Sequence, residues 1–364
     1  MAYKVLFISD ISCEIFKSIT DRMMVKGLHQ KDVDITVVTS KPTPETIDLE
    51  REGIKIIYLP LENKLCRLTR ERLRQILLEG CFDILHFTYG KAATIGLLAG
   101  SGLNLKIVGY YGSLSLHWYD PSAWFAFLNP RIDKIICPSN AVRAHIKKQL
   151  NANRRNRIVR IYRGYDPSWF DNVEPVTRES MGVSPDDFLI CTVGNLRKVK
   201  GIKYLIKAVE HLPHDIPLKI LLVGSGTDSP EIRRLTEATG RPECFLLQGH
   251  VPVSPSYIVS CDLYIQPSLS EGLGRAISEA MCLAKPVIVT DGGGAKEFFE
   301  DGNNGFVVRR GSHEAITDAI KECYDNRKIL HLVGLKARES MLNKFNHRHM
   351  VNMTYDLYQE LING

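Results

Sequence analysis

The sequence predicts an α/β protein with two doubly wound parallel sheets, each built from alternating strands and helices. Short runs rich in Val and Ile recur along all 364 residues, and segments with helical patterning separate them. Near-continuous apolar strands that alternate with helices are typical of parallel sheets covered on both faces. The length fits two domains at roughly 150 residues each.

The first domain is predicted to span residues 1–165 and to be Rossmann-like. Segment 156–175 interrupts the alternation with Gly, Asp and two Pro, which places the domain boundary there. Helices are expected at 69–80 and 140–150, between strands. The expected strands are 4–9, 35–40, 54–60, 83–87, 106–112 and 134–139.

The second domain is predicted to span residues 170–345 and to be Rossmann-like as well. Helices are expected at 201–212 and 275–283, and a last helix at 348–362 lies in a segment, 346–364, that could return to the first domain. We expect the two sheets to face each other across a cleft, with ligands at the carboxyl ends of the strands. The expected strands are 188–194, 218–224, 244–249, 262–268, 285–291 and 305–310.

Composition places the protein among soluble globular proteins. Apolar residues make up 44 % of the chain and charged residues 24 %, which excludes a disordered chain. The longest apolar runs are shorter than the ~20 residues that cross a bilayer, and the amino terminus reads as a strand rather than a signal peptide. The nine cysteines include no CxxC pair, so we expect a reduced cytoplasmic protein without a zinc site.

Positive charge is concentrated in the first half of the chain. Residues 1–170 hold 25 Lys and Arg against 16 Asp and Glu, and residues 131–163 hold ten basic residues against one acid. The segment is either a solvated face or a site for an anionic partner, such as a membrane surface reached through 143–163 or a phosphorylated glycan. Nucleic acid is not expected, because no nucleic-acid motif accompanies the charge.

The segment 266–308 carries the most chemical information. Glu271 and Glu279 are eight residues apart, and Ser270 is expected to cap a helix that begins through Gly272 and Gly274. Exposed amides at such a helix start favour an anion. At 1.5 Å per residue the glutamates lie roughly 12 Å apart, which suits the two ends of a nucleoside-diphosphate sugar. The alternative is an exposed first-turn Glu271 and a surface Glu279.

These residues resemble a known family. "SEGLGRAISEAM", followed by "KPVIVTDGGGAKEFF" and "GNNGFVV", resembles the EX7E signature of retaining GT-B glycosyltransferases and is most similar to glycosyltransferase family 4. Other segments agree with the family in chain order: "DKIICPSNAVRAHI" followed by "IYRGYD", then "VGNLRKVKGIKYLIKAVE", "LLVGSG", "LQGHV" and "CDLYIQPS". The resemblance covers essentially the whole chain and is most specific from 188 to 308.

The resemblance implies a role for each matching residue. Glu271 would contact the hydroxyls of the donor sugar, and Glu279 would hold the ribose. Lys200 and Arg197 would neutralise the diphosphate leaving group. The donor would also meet Gly194, Asn195, Gly224, Val251, Gly272, Leu273 and Gly274.

Two positions depart from the family pattern. Asn195 stands where the family commonly has an arginine, and Arg197 is expected to replace its charge. Tyr111 stands where the family commonly has a histidine, with His117 six residues further on. We assign Tyr111 and His117 to the acceptor side, where a tyrosine is a poor base near neutral pH.

The sequence therefore predicts a retaining, metal-independent glycosyltransferase that uses a nucleotide-sugar as substrate and needs no cofactor. Its acceptor would be a glycan or lipid-linked glycan of cell-surface polysaccharide or lipopolysaccharide synthesis, at the inner face of the plasma membrane. The one Asp-x-Asp, Asp32 to Asp34, precedes a strand of the first half and is not expected to bind a metal. The alternative is a nucleotide-sugar-binding protein or epimerase of the same fold without transfer activity.

Overall fold

A computed structural model of the chain describes residues 3–13, 15–61, 63–64 and 66–364. The chain divides into two compact units. Unit 1 comprises Met1–Gly164 and His347–Gly364, and unit 2 comprises Tyr165–Asn346. In chain order, unit 2 is therefore an insertion within unit 1.

Each unit is built on one parallel sheet. Unit 1 has seven strands in the order β3-β2-β1-β4-β5-β6-β7, and unit 2 has six in the order β10-β9-β8-β11-β12-β13. Both orders reverse direction beside the first strand, as in doubly wound Rossmann-like sheets. The strands are β1 (Lys4–Ile8), β2 (Asp34–Thr39), β3 (Lys55–Tyr58), β4 (Ile84–Phe87), β5 (Lys106–Tyr110), β6 (Lys134–Cys137), β7 (Ile158–Arg160), β8 (Phe188–Val193), β9 (Leu218–Val223), β10 (Phe245–Gly249), β11 (Leu263–Gln266), β12 (Val287–Thr290) and β13 (Phe306–Val308).

Helices cover both sheets. Several begin at a side-chain cap; for example, the Ser139 hydroxyl accepts from the Val142 amide. The helices are α1 (Ile15–His29), α2 (Pro44–Arg51), α3 (Arg67–Gly80), α4 (Gly90–Ala99), α5 (Pro121–Trp124), α6 (Asn140–Gln149), α7 (Ile202–Val209), α8 (Pro230–Glu237), α9 (Pro255–Ile258), α10 (Arg275–Cys282), α11 (His313–Asp325), α12 (Leu330–Asn343) and α13 (His347–Asn363). Across the described residues, no helix has the length and apolar character needed to cross a membrane.

The helix α13 completes the core of unit 1 from the far end of the chain. Its Tyr358 is fully buried, and the hydroxyl lies 2.5 Å from Nδ1 of His86 on β4. Burial lowers the pKa of His86 to about 3, so its imidazole is neutral at physiological pH. On α1, a Cβ added to Gly27 would lie 2.6 Å from Val351, so this glycine lets α13 approach closely.

The twelve predicted strands are all present, with ends displaced by up to two residues. The strand β7 was not predicted, and it lies in the segment predicted to break the alternation. β7 has only three residues and pairs with β6 alone at the edge of the sheet. A strand that short carries too few residues to show a period of two.

Candidate active site

In unit 2 the predicted donor residues follow strands that end at one edge of the sheet. Gly194 and Asn195 follow β8, Gly224 follows β9, and residues 271–274 lie between β11 and α10. Because the strands are parallel, these loops share the carboxyl edge, where ligands of such sheets bind.

The loops after β8 and β9 touch through their backbones. Gly224 has φ of +135°, and a Cβ there would lie 2.2 Å from the carbonyl oxygen of Gly194. The Leu196 amide donates to the Ser225 carbonyl at 3.0 Å. Only glycine permits this approach, so Gly224 fixes the loop that begins at Gly194.

The same loop is joined to the loop that follows β11. The Leu269 amide donates to the Val199 carbonyl at 2.7 Å. Gly201 has φ of +66°, and a Cβ there would lie 1.9 Å from the Pro267 carbonyl oxygen. These contacts hold Lys200 next to the segment that carries Glu271.

Lys200 and Glu271 form the central ion pair of the site. Lys200 Nζ lies 2.6 Å from Glu271 Oε2, and the two side chains are 17 % and 16 % exposed. The Ser268 hydroxyl donates to the same oxygen at 3.1 Å. An ammonium group has three donors, so Lys200 can hold Glu271 and still donate to a ligand.

The backbone of Glu271 is fixed by the glycine turn after β12. Its amide donates to the Gly292 carbonyl at 2.8 Å, and its carbonyl accepts from the Gly294 amide at 2.9 Å. Gly293 has φ of +136°, and a Cβ there would lie 2.1 Å from the Glu271 carbonyl oxygen. The glycines 292–294 are therefore needed to hold Glu271 in place.

Arg197 has a different environment from Lys200. Its Nε donates to Asn195 Oδ1 at 3.0 Å, and the side chain is exposed. Arg197 also lines a cavity of about 400 Å³ together with Lys198, Lys203 and other residues of 196–204. Asn195, which stands where an arginine was expected, thus orients the arginine two residues further on.

The helix after Glu271 begins at the predicted residue, 275, but it lacks the predicted cap. α10 starts at Arg275, and its N-cap is Gly274, with φ of +94° and no side-chain cap. The prediction that Ser270 caps this helix is wrong, because the residues from Ser270 to Gly274 form a loop instead. Gly272 and Leu273 are buried in that loop.

Glu279 lies one turn inside α10 and is fully buried. Its Oε1 lies 3.5 Å from Arg275 Nε, one turn earlier. The alternative interpretation of Glu279 as a surface residue is therefore wrong. A fully buried carboxylate is rare unless it is paired, which marks this position as more than a solvated helix face.

Val251 belongs to unit 2, and the two predicted acceptor-side residues, Tyr111 and His117, belong to unit 1. Val251 is half-buried and comes two residues after Gly249, whose carbonyl accepts from the Gly224 amide at 2.6 Å. In unit 1, the Tyr111 hydroxyl lies 3.1 Å from the Ser115 hydroxyl. His117 stacks on Tyr119, with ring centroids 4.9 Å apart.

Most arginines of the basic segment bind carbonyl groups of unit 1. Arg154 donates to the Leu128 and Asn129 carbonyls at 3.0 and 2.8 Å, and Arg157 donates to the Pro130 and Ile132 carbonyls at 2.8 and 2.9 Å. Arg131 donates to the Leu97 and Gly100 carbonyls. Arg143 donates to the Ile158 carbonyl and Arg155 to the Leu150 carbonyl. Much of this charge therefore stabilises the loops that precede β6 and β7.

A row of buried polar residues leads to Glu271 and was not predicted from the sequence. Tyr264, Gln266 and Ser268 are buried, although β11 and its end are otherwise apolar. These three residues alternate with apolar residues along the strand, so their side chains lie on the same face of the sheet. Polar residues with a period of two in "YIQPS" were the signal that could have revealed the row.

The two Rossmann-like parallel sheets in one chain define the class of the protein as the GT-B fold, as predicted. Two family models match. Residues 174–340 match the model described as "Glycosyl transferases group 1", and residues 22–169 match "Glycosyltransferase Family 4". Together these matches support the assignment of the chain as a group 1 glycosyltransferase.

Individual relatives agree with the family matches. "Putative glycosyltransferase EpsD" of Bacillus subtilis is 28 % identical over 54 % of this chain and 52 % of its own length. "Capsular polysaccharide biosynthesis glycosyltransferase CapM" of Staphylococcus aureus is 30 % identical over 44 % of this chain and 43 % of its own. The chain thus spans about half the length of these curated relatives. Their names do not favour the alternative of an epimerase or a binding protein.

Solved structures show the same fold over the whole chain. HepE of Anabaena, determined in complex with UDP, has a TM-score of 0.78 and 20 % sequence identity, over 99 % of this chain and all of that one. At this identity the likeness concerns the fold alone.

Proposed function

We propose that this chain is a retaining glycosyltransferase that moves a sugar from a nucleoside-diphosphate sugar to a glycan or lipid-linked glycan. The observation that carries the proposal is the pair of Lys200 Nζ and Glu271 Oε2, 2.6 Å apart between two glycine-supported loops. A cation next to a carboxylate suits a donor in which an anionic diphosphate adjoins a sugar with hydroxyl groups. The name of CapM, which refers to capsular polysaccharide biosynthesis, supports an acceptor in cell-surface polysaccharide synthesis.

The leaving group explains the need for positive charge. When the bond between the anomeric carbon and the diphosphate oxygen breaks, negative charge develops on that oxygen. Lys200, with Arg197 at the same loop, stabilises this charge, and fixed cations of this kind need little reorganisation during the reaction. Side chains then provide the charge that a metal ion provides in other transferases.

Retention follows from attack on the side of the sugar from which the diphosphate leaves. The acceptor hydroxyl oxygen bonds to the anomeric carbon while the bond to the diphosphate breaks, and the hydroxyl proton passes to the departing phosphate oxygen. Glu271 accepts hydrogen bonds from the sugar hydroxyls and holds the ring during this step. The donor also meets Gly194, Asn195, Gly224, Val251 and the loop 272–274.

The test of the proposal is a ligand-observed NMR binding screen of UDP-, GDP- and ADP-sugars against the full chain. We expect at least one nucleotide-sugar to bind. UDP-sugars are the first choice, because HepE has been determined with UDP-glucose. Transfer with retention would appear as a product whose anomeric configuration equals that of the donor. Binding of none of these sugars, or an inverted product, would contradict the proposal.

Replacing Glu279 by alanine is expected to weaken the binding of the free nucleoside diphosphate by about 10- to 100-fold. The ribose hydroxyls would lose a charged acceptor, which contributes about 1.5–3 kcal/mol. Isothermal titration calorimetry would measure this loss. Glu279→Gln, which keeps an acceptor oxygen, should lose less.

The matched control is Glu237→Ala, which removes an exposed glutamate at the end of α8. Its affinity should equal that of the wild type. If Glu279→Ala also binds the nucleotide normally while remaining folded, Glu279 does not hold the ribose.

The acceptor is proposed to meet unit 1 at an anionic membrane surface on the cytoplasmic side. Trp118, Tyr119 and Phe125 are 61 %, 66 % and 63 % exposed. The Trp118 amide donates to Gln149 Oε1 at 3.1 Å, which places this aromatic loop at the last turn of α6, beside Lys147 and Lys148. Aromatic rings next to lysines suit the interface of an anionic membrane.

Neutralising both lysines (Lys147→Ala with Lys148→Ala) is expected to reduce sedimentation with anionic vesicles at low salt severalfold, since each surface cation contributes about 1 kcal/mol. High salt should release the wild type as well. The control, Lys41→Ala with Lys55→Ala, removes two exposed lysines elsewhere in unit 1. A wild type that ignores anionic vesicles at low salt would end the membrane proposal, while the donor assignments would stand.

A further inference from the structure

We propose that Ser268 and Gln266 are positioning residues that hold the carboxylate of Glu271 in the orientation required for the donor. The proposal rests on the proposed function of Glu271. It concerns the buried polar row of Tyr264, Gln266 and Ser268, whose hydrogen bonds lead to the carboxylate of Glu271.

The row is a continuous chain of hydrogen bonds. The Tyr264 hydroxyl donates to Gln266 Oε1 at 2.8 Å, and Gln266 Nε2 donates to the Ser268 hydroxyl at 3.0 Å. The Ser268 hydroxyl donates to Glu271 Oε2 at 3.1 Å. Tyr264, Gln266 and Ser268 are at most 3 % exposed, so water does not compete for these bonds.

The chemistry of the three side chains determines which group donates and which accepts in each of these hydrogen bonds. Burial, with the carboxylates of Glu279 and Glu271 nearby, raises the pKa of Tyr264 well above its ordinary value, so its hydroxyl remains protonated. It therefore donates to the amide oxygen, which turns the amide nitrogen of Gln266 toward Ser268. An amide nitrogen only donates. The Ser268 oxygen accepts that bond and has its own hydrogen left for Glu271.

The consequence is that the two oxygens of Glu271 have different tasks. Oε2 receives the Ser268 hydroxyl and the Lys200 ammonium, the latter at 2.6 Å. We assign Oε1 to the hydroxyl of the donor sugar. The backbone of Ser268 is itself held from the neighbouring strand, because the Thr290 hydroxyl donates to its carbonyl.

The first test records the carbon-13 chemical shift of the Glu271 carboxyl in the full chain at one fixed pH. Ser268→Ala removes the hydroxyl that donates to Oε2, so this signal should move by more than its line width. Ser268→Thr, which keeps the hydroxyl, should leave it near the wild-type value. The control is Thr317→Val, which removes a buried hydroxyl that donates to the Ala208 carbonyl.

The second test is kinetic. With donor and acceptor present, Ser268→Ala should lower kcat about tenfold while the affinity for the free nucleoside diphosphate stays within twofold, since the diphosphate does not contact Glu271. Gln266→Met should have a smaller effect of the same kind. Added to Ser268→Ala, it should cause no further loss, because Gln266 acts through Ser268.

An unchanged carboxyl signal of Glu271 in Ser268→Ala would overturn the proposal, even if the protein transfers sugar. Additive losses in the double variant, or weaker nucleotide binding in Ser268→Ala, would also overturn it by showing general damage to the loop. A signal that moves in Ser268→Ala and is restored in Ser268→Thr, in a protein that transfers no sugar, would support the positioning of Glu271 and contradict the proposed function instead.

Discussion

Replacing Lys200 by alanine is expected to lower kcat/KM for transfer by about 100- to 1000-fold, the range for removing a group that stabilises developing negative charge. The variant loses the cation for the leaving diphosphate. It also leaves the carboxylate of Glu271, only 16 % exposed, without its partner at 2.6 Å. Initial rates at several donor concentrations would measure the effect. Lys200→Arg, which keeps the charge, should retain more activity.

Lys198→Ala is the matched control, because Lys198 lies in the same short turn as Lys200 but is exposed. We expect it to change kcat/KM by no more than a few fold. Arg197→Ala should resemble Lys200→Ala if Arg197 provides the charge that is missing at Asn195. Equal losses for Lys198→Ala and Lys200→Ala would show that only the overall positive charge of the loop matters.

Replacing Gly201 by alanine is expected to destabilise unit 2 by about 2–5 kcal/mol. A left-handed backbone costs a residue with a Cβ about 1–2 kcal/mol, and overpacking adds about 1–3 kcal/mol. Gly201 has φ of +66°, and the new Cβ would lie 1.9 Å from the Pro267 carbonyl oxygen. Because that oxygen belongs to the backbone, it cannot simply rotate away. Thermal unfolding should show a Tm lowered by roughly 2–4 °C per kcal/mol.

Gly240→Ala separates the cost of the left-handed backbone from the cost of the close contact. Gly240 has φ of +73°, but a Cβ there would meet nothing within 4 Å. We expect only the backbone cost of about 1–2 kcal/mol. If Gly201→Ala were no more harmful than Gly240→Ala, the close approach of the Lys200 loop to Pro267 would not contribute to stability.

The sequence was sufficient for the fold and for the location of the candidate site. Runs such as "KVLFIS" and "FLICTVG" have the continuous apolar character of strands buried on both faces, and β1 and β8 lie there. Glu271 was singled out by its spacing of eight residues from Glu279 and by the glycines that follow it, and it lies in the loop between β11 and α10. The strand order places that loop beside the loops after β8 and β12.

The partners of individual side chains could not be predicted from the sequence, because they depend on residues that are distant in the chain. Lys200 and Glu271 are 71 residues apart, and neither position by itself indicates an ion pair. The excess of arginine between 131 and 163 was visible, but its binding of loop carbonyls was not. Ser270 has the chemistry of a helix cap, but Gly274 occupies that position, because the glycine turn after β12 holds Glu271 in an extended loop.

The insertion of unit 2 within unit 1 determines the order in which the two units can complete their folding during translation. The ribosome releases all of Tyr165–Asn346 before α13, so unit 2 can fold while unit 1 still lacks its last helix. Until Tyr358 arrives, the pocket around His86 is open to water, and the imidazole there is free to take up a proton. Assembly of unit 1 therefore depends on the late arrival of α13, whose contacts include the pair of His86 and Tyr358, 272 positions apart. A nascent chain that stalls in α12 would present an unfinished hydrophobic face to chaperones.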